Sequence, residues 1–77
     1  MKITITSTTK IVELDGVPAR LWEGHTEGGV ALHCYITRLA VDKESATQEH
    51  LKEFEKDLQE HAPPSAGVRA IPPRLVL

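Results

Sequence analysis

With a single cysteine, Cys34, among 77 residues, the chain can form no internal disulfide and lacks the cysteine set of a zinc ribbon. Aromatic side chains are as scarce, with one Trp, one Tyr and one Phe. No apolar run approaches the roughly 20 residues that cross a bilayer. The opening Met1-Lys2-Ile3-Thr4-Ile5-Thr6 has neither the apolar stretch nor the small-residue cleavage site of a signal peptide. The expectation is a soluble cytoplasmic protein, where a lone thiol stays reduced. P-loop, dinucleotide fingerprint, nucleophile elbow and HExxH are all missing. The Asp15-Gly16 and Gly28-Gly29 pairs are turn signals, not phosphate cradles. No catalytic constellation assembles, so the sequence points away from an enzyme and calls for no cofactor.

The length fits one domain, residues 1–77. A chain this short buries only about 60% of its unfolded surface, so association as a homodimer is the expected support. A net charge of −2 argues against a nucleic-acid partner held through phosphates. The charge is uneven: residues 42–61 hold seven acids against three lysines, and the remainder holds four acids against six bases. A solvated helix face accounts for the acids; a weak dipolar surface that guides a partner is the sharper reading.

Residues 2–14 are rich in Ile, Thr and Val, with Ile3 and Ile5 alternating with Thr4 and Thr6, as a strand requires. Ser7-Thr8-Thr9 is either a bend or a passage the strand runs through. Val17–Thr26 and Val30–Val41 read as two more strands, joined by a two-residue turn at Gly28-Gly29. That turn sets Glu27 opposite Val30. One face then holds Leu21, Leu32, Cys34 and Ile36, facing the core, with Glu23 awkwardly opposite Cys34. The other face sets Trp22 opposite Tyr35, Gly24 opposite His33 and Arg20 opposite Thr37. A one-residue slip, pairing Leu21 with Tyr35 and Trp22 with Cys34, scatters both groups.

Residues 46–61 form a helix. Ser45 caps it with Gln48 as capping-box partner, Leu51, Phe54 and Leu58 make a narrow apolar stripe, and Pro63-Pro64 stops it. Val68–Ile71 reads as a short strand before Pro72-Pro73, and Leu75-Val76-Leu77 reads as a terminus docked in cis or in trans. The fold expected is therefore α+β: an antiparallel β-meander of three to four strands, one helix packed on one face, and a short C-terminal strand.

Trp22, Tyr35, Arg20 and His33 converge on one face in this register. A cross-strand aromatic pair stabilises a sheet by roughly 0.2–1 kcal/mol, so a structural pair under the helix is the plain alternative. Yet Trp, Tyr and Arg are also the residues that dominate binding hot spots. His33 and Cys34, as strand neighbours, point to opposite faces, and Cys34 reads as buried and inert. His25 and Cys34 share a face without a third ligand, and His50 and His61 lie eleven residues apart on the helix. No metal site is expected, and both helix histidines read as surface residues.

The run Val17-Pro18-Ala19-Arg20-Leu21-Trp22-Glu23-Gly24-His25-Thr26, followed by His33-Cys34-Tyr35-Ile36-Thr37-Arg38, resembles small accessory proteins of phages and prophages. The resemblance extends through the helix to Pro63-Pro64-Ser65 and Ile71-Pro72. That group has no established activity, so no site residues carry over. The resemblance implies a protein that binds and modulates a host or defence component inside the host cell. Taken together, the expectation is a non-enzymatic binding module anchored by Trp22, Tyr35 and Arg20, with His33 at the margin. Two alternatives stand beside it. One is a small-molecule or nucleotide-binding protein at a dimer cleft, stacking a base on Trp22 and Tyr35 with Arg20 or Arg38 on a phosphate. The other is a structural subunit of a phage assembly.

Overall fold

Alternation and turn chemistry build three antiparallel strands: β1 (Ile3–Leu14), β2 (Val17–Thr26) and β3 (Ala31–Ile36). Asp15 and Gly16 both take positive φ, 48° and 82°, the primed turn whose twist matches that of the strands it joins. The structure is a computed structural model that describes every residue except Lys43, Val76 and Leu77. Two helices follow the sheet, α1 (Gln48–Asp57) and α2 (Ala66–Arg69). A two-residue piece, β4 (Arg74–Leu75), lies parallel beside Glu13 and Leu14, giving the order β3-β2-β1-β4. The fold is α+β, a three-stranded antiparallel sheet with a helix.

The β2–β3 hairpin departs from the expected register. Leu21 faces Tyr35, Trp22 faces Cys34 and Glu23 faces His33. The turn is responsible. It spans three residues, Glu27-Gly28-Gly29, with the Gly29 amide donating to the Thr26 carbonyl at 3.0 Å and the Thr26 amide to the Val30 carbonyl at 3.0 Å. Gly29 sits at φ 87°, the left-handed position that closes a three-residue hairpin. Thr26, not Glu27, stands opposite Val30, and every later pair moves by one. The change removes the conflict of a carboxylate beside Cys34.

β1 runs through Ser7-Thr8-Thr9, with a bulge between Ser7 and Ile11. The bulge leaves backbone groups of both strands without ladder partners, and four of them find another. The Thr8 hydroxyl donates to the Leu21 carbonyl at 2.8 Å and accepts from the Lys10 amide at 3.2 Å. Arg20 Nη1 donates to the Thr8 carbonyl at 2.8 Å. Outward, Ala62 bridges to β1, its amide donating to the Ser7 carbonyl and its carbonyl accepting from the Thr9 amide, both at 3.0 Å. Before the bulge, β1 and β2 approach so closely at Gly24 that a Cβ there would meet the Thr4 carbonyl oxygen and lie 2.8 Å from Ile5 Cα.

One sheet face carries the core. Val12, Ala19 and Leu21 are buried with Val68 of α2, and Leu14, Tyr35 and Ile71 pack around them. Removing side chains the size of Val12, Leu21 and Val68 from water is worth about 1.5–3 kcal/mol each. The segment expected as a strand at Val68–Ile71 instead begins with the helical turn α2, capped by Ser65, whose hydroxyl accepts from the Val68 amide at 3.4 Å. The turn delivers Val68 into the core.

The opposite face carries Ser7, Ile11, Arg20, Trp22, Cys34 and Ile36, by their pairing across the strands, and α1 ends beside it. The helix is shorter than the expected 46–61. Thr47 is its cap, accepting from the His50 amide at 3.2 Å, while His50 Nδ1 accepts from the Thr47 amide at 3.4 Å. Ser45 instead donates to the Asp42 carbonyl at 3.4 Å, which leaves Thr47 as the first residue able to cap. No α1 residue is fully buried; Leu51 and Phe54 are half-buried. The docking expected of Leu75-Val76-Leu77 turns on Val76 and Leu77, outside the described residues.

Candidate functional site

The one-residue shift divides the expected site. Arg20 and Trp22 stay together on the α1 side of the sheet, where their cross-strand partners are Ile36 and Cys34. Tyr35 and His33 fall on the opposite face, with Leu21 and Glu23 across from them. His33 Nε2 lies 3.2 Å from the Tyr35 hydroxyl, and the two rings meet edge to face with centroids 5.4 Å apart. The convergence of all four residues on one surface therefore does not occur. Cys34, expected on the core face, is half-buried on the Trp22 side.

On that side a groove of about 280 Å³ opens between β2, the end of β3 and the C-terminal end of α1. Trp22, Ile36, Leu39 and Leu58 supply its apolar lining, and Arg20, Arg38, Thr37 and His61 its polar lining. A smaller cavity adjoins it, sharing Trp22, Leu39, Leu58 and His61 and adding Phe54, Ser7 and Asp57. Trp22 is half-buried, so its side chain is partly covered by neighbours and partly open to solvent.

The polar residues owe their positions to the bulge and to the chain after α1. Arg20 is tethered by one nitrogen to the Thr8 carbonyl, which fixes its guanidinium while the remaining donors stay available. Among the described residues, neither Arg20 nor Arg38 is held by a carboxylate. His61 Nδ1 lies 2.9 Å from Ser7 Oγ, and that hydroxyl donates to the Glu60 carbonyl at 3.3 Å. His61, read from sequence as a surface residue, is half-buried.

The opposite face is built for cohesion. Glu23 Oε2 accepts from the Ser65 amide at 2.8 Å, joining β2 to the start of α2. Hydrogen bonds from Ser65, first from its side chain and then from its backbone, hold the Glu23 carboxyl below its ordinary value of 4.5.

Sequence reasoning missed His61 and gave Arg38 only a secondary part. Arg38 could have been found from its spacing behind Ile36. His61 could not, because the Ala62 bridge to Thr8 that brings it to Ser7 joins positions far apart in the chain. Among the described residues, no cluster of His, Cys, Asp or Glu could hold a metal ion. No helix among them is long and apolar enough to cross a membrane. No known family, curated protein or solved structure matches this chain.

Proposed function

We propose that this protein is a non-enzymatic binding module whose contact site is the groove lined by Arg20, Trp22, Arg38 and His61, and that its partner is a protein segment bearing an acidic side chain. The observation that carries the reading is a half-covered Trp beside two guanidinium groups free of carboxylates among the described residues. Trp and Arg are the commonest hot-spot residues, and a tethered guanidinium forfeits little entropy when it meets a carboxylate. The host or defence component implied by the phage resemblance is the proposed partner class. Tyr35 and His33 take no part in this site.

The openness of the groove to solvent favours a protein segment over an enclosed small molecule. Ligand pockets usually measure about 300–1,000 Å³ and enclose their ligand. A groove of about 280 Å³ takes one or two side chains. The base-stacking alternative needs Trp22 and Tyr35 on one surface, and they lie on opposite faces.

The test uses capture from host lysate by the wild type, by Arg38→Glu and by His33→Ala, all checked for folding. Arg38 and His33 are both exposed, so neither change disturbs the core. The expected result is one protein captured by wild type and His33→Ala and weakened about 30-fold or more by Arg38→Glu, the loss of one hot spot. Trp22, as the only Trp, should shift in fluorescence when the purified partner is added. Equal capture by Arg38→Glu, or an unchanged Trp22 spectrum, overturns the proposal.

A further inference from the structure

The two outer edges of the sheet differ. On β1, the segment at Ala62 and the stretch from Pro73 to Leu75 occupy the edge, with the Glu13 amide donating to the Pro73 carbonyl at 2.8 Å. Among the described residues β3 has no strand beyond it. The Thr26–Val30 bond sets the ladder phase: hydrogen-bonded pairs fall at Gly24–Leu32, Trp22–Cys34 and Arg20–Ile36, because such pairs recur every second residue. The amides and carbonyls of Ala31, His33 and Tyr35 consequently point outward. Proteins blunt such an edge with Lys, Pro, a bulge or a covering segment. The β3 sequence Ala-Leu-His-Cys-Tyr-Ile has no Pro and no Lys.

The chain also exposes more surface than a compact monomer of its size. A folded chain of 8.5 kDa exposes about 4,700 Å² by the usual scaling, whereas this one exposes 6096 Å². The excess is larger than the roughly 800 Å² that each subunit contributes to a standard interface. The radius of gyration, 14.0 Å, also exceeds the roughly 11.5 Å of a compact domain this long.

We infer that two copies of this chain join edge to edge through β3, antiparallel, about a twofold axis that passes beside Cys34. This register centres the whole run Ala31–Thr37 on itself. It sets Leu32 opposite the partner's Ile36, His33 opposite the partner's Tyr35, Ala31 opposite the partner's Thr37, and Cys34 opposite its own copy. Every outward backbone group of Ala31, His33 and Tyr35 then meets another. A register centred on His33 would oppose two histidines and set Ile36 against the partner's Val30, which lies outside β3. A perpendicular twofold axis keeps the same face of both sheets on one side, so the two Arg20–Trp22 grooves open in one direction.

Cys34 serves as the reporter. Facing residues that do not share ladder bonds have Cα atoms about 4.5 Å apart, within disulfide reach. Diamide takes two electrons and two protons from the facing thiols, joining them while its N=N bond becomes a hydrazine. The experiment measures mass by sedimentation of the reduced protein up to about 200 μM, then cross-linking by diamide. The expected result is a dimer that diamide makes covalent through Cys34, and a Cys34→Ser variant that remains a noncovalent dimer. Ala31 and Thr37 are both exposed, so a second pair of variants leaves the monomer intact. Ala31→Lys with Thr37→Lys opposes like charges twice and should weaken association about tenfold or more, while Ala31→Lys with Thr37→Glu restores it. A monomer throughout, a dimer without the Cys34 cross-link, or a dimer indifferent to the lysine pair overturns the inference. None of these outcomes depends on the groove having a ligand.

Discussion

Thr8 shows how much one buried hydroxyl can hold. It is 1% exposed, and its oxygen both donates to the Leu21 carbonyl and accepts from the Lys10 amide. Leu21 is the β2 residue left without a β1 partner by the bulge, so its carbonyl depends on this side chain. Thr8→Val keeps the shape and strands that carbonyl together with the Lys10 amide. The expected loss is about 1–3 kcal/mol, read from urea unfolding at neutral pH. The same change loosens the β1 bulge that positions Arg20, since the Thr8 carbonyl is the anchor of that guanidinium. Nothing in the pattern Thr-Ser-Thr-Thr separates Thr8 from its neighbours. Its role follows from the location of the bulge, which local composition does not specify.

Among the elements, the β2–β3 turn has the widest consequence. Gly28-Gly29 is legible as a turn, but two glycines are compatible with either a two-residue or a three-residue loop. The left-handed φ of 87° at Gly29 belongs to the second. Gly29→Ala has room for the added methyl, with nothing within 4 Å, so its cost is conformational, about 1–2 kcal/mol. Thermal unfolding should show that loss, and β3 amides should exchange faster than those of β1. An unchanged melting curve would mean that the hairpin register is held by packing alone. The helix was located by its apolar spacing and by Pro63-Pro64. Its start moved from Ser45 to Thr47 because the Asp42 carbonyl, through a turn of its own, takes the Ser45 hydroxyl.

At the scale of the whole molecule, Glu23 ties the sheet to α2 across 42 positions. Its carboxyl is held below the ordinary value of 4.5, by the Ser65 hydrogen bonds first, so near that pH the folded chain binds fewer protons at Glu23 than the unfolded chain. The stabilisation is complete above the ordinary value and is lost as pH falls through the lowered folded one. Glu23→Gln keeps an oxygen acceptor but does not titrate. Urea midpoints of wild type and Glu23→Gln should therefore converge as the pH falls below the ordinary value of 4.5, with the wild type falling faster. Parallel decline would assign the acid sensitivity to other carboxylates. The thin core, four buried apolar side chains among the described residues, closed by Val68, makes the chain responsive to such single contacts.

The α+β class, the strands on either side of Asp15-Gly16, the turn near Gly28-Gly29 and the helix ahead of Pro63-Pro64 were all determined by the sequence, because each rests on local steric or periodic constraints. The pairing of β2 with β3 was decided by the tertiary structure. Side chains alternate with a period of two, so a shift of one residue exchanges the faces, and the local sequence accommodates either turn. What distinguishes the two is the neighbour on each side. In the register adopted, Tyr35 joins Leu21, Ala19, Val12 and Val68 on the core face, and Trp22 turns to meet Arg20, Arg38 and His61. Val12, Val68 and His61 among them come from β1 and from the chain after α1, outside the hairpin, and no reading of the hairpin alone contains them.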